Sequence, residues 1–293
     1  MSAQKTFYAT TAIAYVNAPP HMGHALEFIL TDAICRYHRM MGDATYFLTG
    51  TDEHGVKIYN TAKKAQMDIQ AFVDQHAQTF KDLTSILHLS NDGFVRTSDR
   101  ELHWPACQKL WGKLVEKGDI YEKEYEGLYC EGCETFMLER DLVDGLCPIH
   151  KRELTLIKEK NYFFKLSRYS DQIGQLIESD QLKITPSTRK AEILNMIKEG
   201  LHDVSFSRPK SALPWGVDVP GDPDQVMYVW CDALTNYISF IGYAHETELF
   251  QTFWPADLHV IGKDIVRFHA GIWIGMLLAA GVPIPKGILV HGF

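Results

Sequence analysis

Two histidines three positions apart follow a pair of prolines near the start of the chain. His21, Gly23 and His24 come directly after Pro19-Pro20, and apolar residues then recur at helical spacing as far as Gly42. This pattern predicts that both imidazoles lie on one helix face, near free backbone N–H groups and the positive end of the helix dipole. The pair could then contact the oxygens of a polyphosphate, and Gly23 would leave room for a flat base. Two surface histidines near a helix start are the alternative.

A polar block occupies residues 49–55 and directly follows a short predicted strand over residues 44–48. Within this block, Asp52 is expected at the end of the strand. There its carboxylate could bind an ammonium group. The alternative is an aspartate that caps the next helix.

Three cysteines and a histidine have the spacing of a metal site. Cys130 and Cys133 have two residues between them, as do Cys147 and His150, and thirteen residues separate the two pairs. Pairs on tight turns can converge tetrahedrally on Zn²⁺. Because four protein ligands leave no open position, we expect one structural zinc per chain. A coincidental arrangement of buried cysteines is the alternative.

Aromatic residues are frequent in the last third of the chain, with Trp230, Tyr237 and Trp273 among them. Taken alone, such residues are more often part of a core than of a binding pocket. The residue types therefore leave both interpretations open.

The elements that must position these residues alternate between strand and helix. A strand over residues 6–16, the helix that begins near His21 and the strand over residues 44–48 form a βαβ start to a parallel sheet. Ligands bind at the carboxyl ends of the strands in such sheets. Further helices are predicted over residues 71–89 and 102–118, and a later strand and helix over residues 257–262 and 265–280.

The fold class predicted from this order is α/β, with two halves around an insertion. We place the first half of a nucleotide-binding domain at residues 1–117, an inserted module at residues 118–224 and the second half at residues 225–293. The cysteine cluster lies within the insertion.

Composition excludes several classes of protein. A 293-residue chain with 46% hydrophobic residues can bury a core, which excludes a disordered chain. Only six cysteines occur, and three of them cluster with metal-like spacing, which fits a reducing compartment better than a disulfide framework. The net charge of −8 gives no global signal for nucleic acid. Because neither a signal core nor an unbroken apolar span is present, we expect a soluble cytoplasmic protein with no membrane partner.

The motifs resemble those of a known family. His-x-Gly-His after a strand is similar to the ATP signature of class I aminoacyl-tRNA synthetases and of related nucleotidylyltransferases. Residues 12–24 and the block Thr-Gly-Thr-Asp-Glu-His-Gly at residues 49–55 resemble methionyl-tRNA synthetases, as do residues 160–164, 207–209 and 214–216. The resemblance extends over nearly the whole chain, and a small-molecule nucleotidylyltransferase would not account for the cysteine cluster.

The resemblance implies a fold, an activity and a set of site residues. The fold would be a Rossmann-like domain split by a zinc-bearing connective insertion. The activity would be ATP-dependent activation of L-methionine, with Mg²⁺, and transfer to tRNA(Met). The resemblance assigns His21, His24 and Asp52 to catalysis and adds Gly23, Gly262 and Asp264 at ATP. It places the following residues around methionine: Ile13, Tyr15, Asp52, Trp230, Ala233, Leu234, Tyr237, Ile265, His269 and Trp273.

The chain departs from the family pattern at its end. It stops at residues 290–293, just before the family's Lys-Met-Ser-Lys-Ser loop and its anticodon-binding domain. We therefore expect a catalytic-domain fragment with impaired activity. The alternative is a non-catalytic, zinc-stabilised module that binds tRNA or a protein partner.

Overall fold

The computed structural model describes residues 4–137 and 139–292, so Met1 and Phe293, the outer limits of the predicted segments, lie outside it. The strands, in chain order, are β1 (Thr6–Thr11), β2 (Ala14–Tyr15), β3 (Ala44–Asp52), β4 (Gly93–Arg96), β5 (Ile120–Cys130), β6 (Thr135–Met137), β7 (Thr155–Phe164), β8 (Lys183–Thr185), β9 (Val204–Ser205), β10 (Ser207–Pro209), β11 (Gln225–Met227), β12 (Leu258–Gly262) and β13 (Gly287–His291). The α-helices are α1 (Met22–Met40), α2 (Val56–Lys64), α3 (Ile69–Ile86), α4 (His103–Glu116), α5 (Ser170–Glu178), α6 (Ser187–Lys198), α7 (Val229–Ser239), α8 (Glu248–Phe253) and α9 (Ile274–Ala280).

A seven-stranded sheet forms the centre of the described chain. Its strands run in the order β4, β3, β1, β12, β13, β8, and β2 lies on the same side of β3 as β1. All of these pairings are parallel. The prediction of an α/β fold built on a parallel sheet is therefore confirmed.

The first βαβ unit follows from the residue pattern of its elements. β1 is buried at every position after Thr6, as expected for a central strand of a sheet covered on both faces. α1 begins two residues after Pro20 and ends at Met40, and Gly42 follows with a φ of +89°. Glycine is favoured at this position because a side chain strains a left-handed backbone. β3 then returns beside β1 and carries the polar block to the carboxyl end of the sheet.

A second, antiparallel sheet carries the cysteine cluster. Its order is β6, β5, β7, β9, and β5 pairs with β7 from Ile120 opposite Phe164 to Tyr129 opposite Thr155. β8, from the same predicted insertion, instead pairs with β13 in the parallel sheet. The boundaries expected near residues 117 and 224 stay predictions.

The helix predicted over residues 265–280 is not uniform. Phe268–Trp273 forms a π-helical stretch that leads into α9. The imidazole Nδ1 of His269 lies 3.0 Å from the backbone oxygen of Ile265, which also accepts from the backbone N–H of His269 at 3.3 Å, so the side chain shares this carbonyl with the helix. Such widened turns occur frequently at functional sites.

The largest apolar cluster packs α4, α7 and α9 beneath the sheet. Leu110 on α4, Leu234 on α7 and Leu277 on α9 join Tyr8 of β1 in this cluster, and each is at most 2% exposed. Elements fixed in this way can hold side chains in defined positions. Among the described residues, no helix has the length and apolar character needed to cross a bilayer.

Candidate active site

A cavity of about 440 Å³ lies at the carboxyl ends of three neighbouring strands. Ile13 follows β1, Asp52 ends β3 and Asp264 follows β12, and all three line the cavity. Residues of α7 and of the cysteine-bearing turns complete its wall. Open α/β sheets bind their ligands at this edge, so the cavity is the candidate site.

The two histidines at the start of α1 form a reciprocal cap. The backbone N–H of Gly23 donates to Nδ1 of His21 (3.1 Å), and the backbone N–H of His21 donates to Nδ1 of His24 (3.1 Å). Because each Nδ1 accepts a hydrogen bond, each neutral ring carries its proton on Nε2. The rings stack with centroids 3.9 Å apart. Two N–H donors therefore stand together at a helix N-terminus, where anions bind readily.

Burial sets the protonation state of His24, and the space beside Gly23 sets the position of the His21 ring. Burial, with the neighbouring His21, lowers the pKa of His24 to about 4, so His24 is neutral near pH 7. A Cβ on Gly23 would lie 3.0 Å from Cε1 of His21, closer than the ring tolerates without moving. A side chain at position 23 would therefore push the His21 ring by a few tenths of an ångström, a steric effect that the sequence did not predict.

Asp52 is a buried carboxylate with weak partners. Within the described residues it accepts from the backbone N–H of His54 at 3.3 Å and from the hydroxyl of Thr97 at 3.5 Å, and no cation pairs with it. Burial, reinforced by the negative charge of Asp232, raises the pKa of Asp52 well above its usual value of 3.8. A cationic group bound in the cavity would stabilise the ionised form of Asp52.

A buried polar network holds Asp232 near Asp52. Nδ1 of His54 lies 2.8 Å from Asp232, and Nε2 of His103 lies 3.1 Å from the other carboxylate oxygen. Burial alone would raise the pKa of Asp232, but the two histidines outweigh it and lower that pKa. Neither histidine lines the cavity. His54, although part of the polar block, therefore belongs to the support of the site.

Another part of the cavity wall is neutral and mainly apolar. Nδ1 of His269 lies 3.0 Å from the oxygen of Ile265, so it carries the ring proton, and Nε2 accepts from the hydroxyl of Tyr237 at 2.6 Å. Burial lowers the pKa of His269 to about 4. Together with Ala233 and Leu234, this neutral pair offers polarisable surface that suits a thioether.

Trp230 and Trp273 occupy different layers. Trp230 lines the cavity and stacks on Phe268 with ring centroids 3.8 Å apart. Trp273 is fully buried, does not line the cavity and donates from Nε1 to His259 at 3.3 Å. Its ring lies 5.8 Å from that of Tyr237. Trp273 therefore supports Tyr237 from behind.

The cysteine cluster converges at the rim of the cavity. Ligand atoms of Cys130, Cys133, Cys147 and His150 all lie within 4.8 Å of one another. Four of the separations between these atoms lie between 3.3 Å, for Cys133 Sγ and His150 Nδ1, and 3.9 Å, for Cys130 Sγ and His150 Nδ1. Zinc bonds of about 2.0–2.3 Å give tetrahedral ligand separations of about 3.5–3.8 Å. The donor set therefore fits Zn²⁺, and Cys133 and His150 also line the cavity.

Comparisons with known proteins decide the family. A family model described as "tRNA synthetases class I (M)" matches residues 7–155 and 141–293. The chain belongs to this class I tRNA synthetase family. It is similar to methionine–tRNA ligase of Thermotoga maritima (45% identity, 98% of this chain and 46% of the relative) and of Streptomyces coelicolor (43% identity, 99% and 55%). The chain spans about half the length of the curated relatives it matches.

Solved structures of the family give the same result. Methionyl-tRNA synthetase of Mycobacterium tuberculosis in complex with methionyl-adenylate matches with a TM-score of 0.95 at 44% identity, covering 99% of this chain and 57% of that chain. The apo form from the same organism matches with a TM-score of 0.85 at 42% identity, covering 99% and 56%.

The structure brings together most of the residues that the synthetase resemblance assigned to methionine and ATP. Those that line one cavity are Ile13, Tyr15, His21, Asp52, Trp230, Ala233, Leu234, Tyr237, Asp264, Ile265 and His269. Four others lie outside the lining. Gly23 and His24 follow His21 in α1, Gly262 ends β12 two residues before Asp264, and Trp273 lies behind Tyr237.

Three charged residues that line the cavity, Glu134, Lys57 and Arg267, were not identified from the sequence. Glu134 accepts hydrogen bonds from the hydroxyls of Tyr15 (2.8 Å) and Tyr129 and from the backbone N–H of Lys57 (2.7 Å). Lys57 and Arg267 line the same cavity. The only sequence feature that pointed to Glu134 was its position directly after the metal ligand Cys133. That position does not show that the Glu134 carboxylate contacts Tyr15 of β2.

Proposed function

We propose that this chain carries the active site of a methionine–tRNA ligase. The reaction would be ATP-dependent activation of L-methionine, followed by transfer of the methionyl group to tRNA(Met). The observation that carries the proposal is one cavity that joins a buried carboxylate lacking a cationic partner to a neutral thioether-compatible wall. The names of the relatives and the high TM-score with a methionyl-adenylate complex support it.

Asp52 would bind the α-ammonium group of methionine. Its carboxylate is buried and lacks a cation within the described residues, and its raised pKa reflects burial and the charge of Asp232. The methionine ammonium would supply the missing positive charge. Tyr15 pairs with Asp52 in the register between β2 and β3, which places the two residues side by side.

The methionine side chain would contact the neutral wall. The hydroxyl of Tyr237 donates to Nε2 of His269, and the imidazole that accepts this bond is neutral. This part of the cavity wall therefore carries no net charge. A thioether makes favourable contacts with aromatic edges, whereas a charged side chain would lose its hydration. Specificity for methionine would follow from this neutrality and from the shape of the wall formed with Ile265.

In the activation step, a methionine carboxylate oxygen would attack the α-phosphorus of ATP, supplied with Mg²⁺. A carbon–oxygen–phosphorus linkage would form, the bond between the α-phosphorus and the bridging oxygen would break, and pyrophosphate would leave with that electron pair. The Nε2–H groups of His21 and His24 would stabilise the phosphate charge, with no covalent step through the protein. Asp264 and Gly262 would lie at the ribose.

The cysteine cluster would hold one structural zinc ion. Four ligands, Cys130, Cys133, Cys147 and His150, fill a tetrahedral coordination sphere, so the ion would support folding of the turns at the cavity rim. A cytoplasmic location is part of the same proposal, since translation and free thiols both belong there.

Single-turnover mass spectrometry tests the proposal, because it detects product even when turnover is slow. The chain is incubated with ATP, Mg²⁺ and one amino acid at a time, and the aminoacyl-adenylate is measured. We expect methionyl-adenylate from methionine, and no comparable product from leucine, valine or isoleucine. A non-catalytic module would give no adenylate with any amino acid, and a small-molecule nucleotidylyltransferase would give none with methionine.

A further inference from the structure

Arg267 has two guanidinium atoms without a hydrogen-bond partner. Its Nε and Nη2 are shielded from solvent, and neither meets an acceptor within the described residues. The guanidinium lies over the ring of Phe268, 4.7 Å from its centroid. A stacked ring stabilises the charge but provides no lone pair for these N–H groups.

Other partly buried arginines of this chain are paired with carboxylates. Arg96 contacts Glu53 through Nε and Nη2 at 2.7 and 2.8 Å, and Arg208 contacts Glu159 in the same bidentate manner at 2.7 Å. In Arg267, the same edge of the guanidinium lacks such a partner. Buried donors are normally satisfied in native proteins, and the Nε and Nη2 edge of Arg267 can still take an acceptor.

The position of Arg267 defines the chemistry of that ligand. Arg267 lines the cavity shared by Asp52 and Tyr237, and it also lines an adjoining cavity of about 660 Å³. Phe268, on which Arg267 lies, stacks in turn on Trp230, so three planar groups form a continuous wall. The parallel N–H groups on the Nε and Nη2 edge match two oxygens of a carboxylate or phosphate.

We propose that Arg267 binds a substrate oxyanion through Nε and Nη2. This inference rests on the proposed function. Two groups with this chemistry meet in the activation step, the carboxylate of methionine and the α-phosphate of ATP. His21 and Lys57 also line this cavity and could contact an anion. Neither of them has a buried donor atom that lacks a hydrogen-bond partner. Arg267 is therefore a substrate-binding residue of the site.

The test compares Arg267→Gln with the wild-type chain by titration calorimetry. The probes are L-methionine, L-methioninol, which has a hydroxymethyl group in place of the carboxylate, and ATP with Mg²⁺. If Arg267 binds the carboxylate, Arg267→Gln weakens methionine binding about 10- to 100-fold and leaves methioninol binding unchanged. If it binds the α-phosphate, ATP binding weakens by a similar factor and methionine binding is unchanged.

Two further variants separate binding from structure. Arg189→Gln is the matched control, because Arg189 lines the adjoining cavity only, and we expect wild-type affinities for all three probes. Arg267→Lys keeps the charge without the planar fork and should recover only part of the lost affinity. Arg267→Gln should keep the wild-type melting temperature, since it removes a cation that forms no ion pair with the residues that the structure describes.

Specific results would overturn the inference. Unchanged affinity for both methionine and ATP in Arg267→Gln would contradict it. Equal losses for methionine and methioninol would also contradict it, because they would indicate a disturbed Phe268 or Trp230. If the wild-type chain bound no methionine, the proposed function would fail, and the ATP titration alone would then decide the role of Arg267.

Discussion

The hydroxyl of Tyr15 donates a 2.8 Å hydrogen bond to Oε1 of Glu134. Tyr15 lies in β2 beside Asp52, whereas Glu134 directly follows Cys133 in the metal-ligand cluster. Gly55 makes this contact possible, because its φ is +112° and a Cβ there would lie 2.3 Å from the Tyr15 hydroxyl. The bond thus joins the amino-acid end of the cavity to the cysteine-bearing turn.

Replacement of Glu134 by glutamine should weaken methionine binding. The carboxylate accepts from two hydroxyls and one backbone N–H, and an amide has a single oxygen for these three donors. A buried donor left without a partner costs about 1–3 kcal/mol, so we expect a roughly tenfold rise in the methionine dissociation constant and a lower melting temperature. Glu131→Gln is the control, since Glu131 is exposed and bonds Asn60. Equal methionine affinity in Glu134→Gln and Glu131→Gln would show that the bond between Tyr15 and Glu134 does not affect methionine binding.

Removal of one metal ligand should lower zinc content and stability together. Cys133→Ser removes a thiolate from a closed set of four, and structural zinc contributes directly to folding. We expect about one zinc per wild-type chain by elemental analysis, substantially less in the variant, and a melting temperature lower by about 5 °C or more. Cys35→Ser, at a buried cysteine outside the cluster, should keep the metal. Zinc-free wild-type protein prepared without chelator would refute the assignment.

Methionine affinity should fall at acid pH because of Asp52. Burial and Asp232 raise the pKa of Asp52 above 3.8, and only its ionised form attracts an ammonium group. Affinity should therefore be constant above the raised pKa and decrease about tenfold per pH unit below it. The decrease begins at a higher pH than for an exposed aspartate. Titration calorimetry across this range should show the decrease in wild type and in Asp171→Asn, whose carboxyl is exposed.

Asp52→Asn provides the opposite case. It should bind methionine about 10- to 100-fold more weakly than wild type at neutral pH, with little further dependence on pH, because the titrating group is gone. A variant that kept the wild-type pH profile would show that another group controls binding.

Gly23→Ala should weaken nucleotide binding while methionine binding is retained. The added Cβ would lie 3.0 Å from Cε1 of His21, so the ring must shift by a few tenths of an ångström from the position in which it caps α1. We expect the dissociation constant for ATP with Mg²⁺ to rise about tenfold, in line with the loss of one charge-assisted contact. Gly112→Ala is a matched control within α4, since a Cβ there meets nothing within 4 Å, and it should leave ATP binding unchanged. Equal ATP affinity in both variants would remove His21 from the nucleotide site.

Local sequence patterns were sufficient for the parts of the fold whose cause is local. The β1–α1–β3 unit follows from apolar spacing, two prolines and Gly42, and the cysteine cluster follows from two paired spacings. The sequence shows residues 49–55 as one polar block. In the structure, however, the three titratable side chains of this block have different surroundings. Asp52 lines the cavity, Glu53 pairs with Arg96, and His54 pairs with Asp232.

Contacts between distant parts of the chain could not be predicted. Tyr15 and Glu134 are 119 positions apart, and nothing in either neighbourhood specifies the other. The open edge of Arg267 is likewise visible only when its surroundings are known. Trp273 could be placed near Tyr237 from the family resemblance, yet its layer behind the cavity depends on packing against His259. Side-chain partners across a core are set by tertiary structure, which a one-dimensional pattern does not encode.

Titration calorimetry of the wild-type chain with methionine, norleucine and leucine tests the central claim, that the cavity between Asp52 and Tyr237 is a methionine site. We expect one methionine per chain, bound roughly 10- to 200-fold more tightly than leucine, the range that a pocket of this kind can achieve. Norleucine should bind between the two. The absence of methionine binding, or leucine bound as tightly as methionine, would contradict the account.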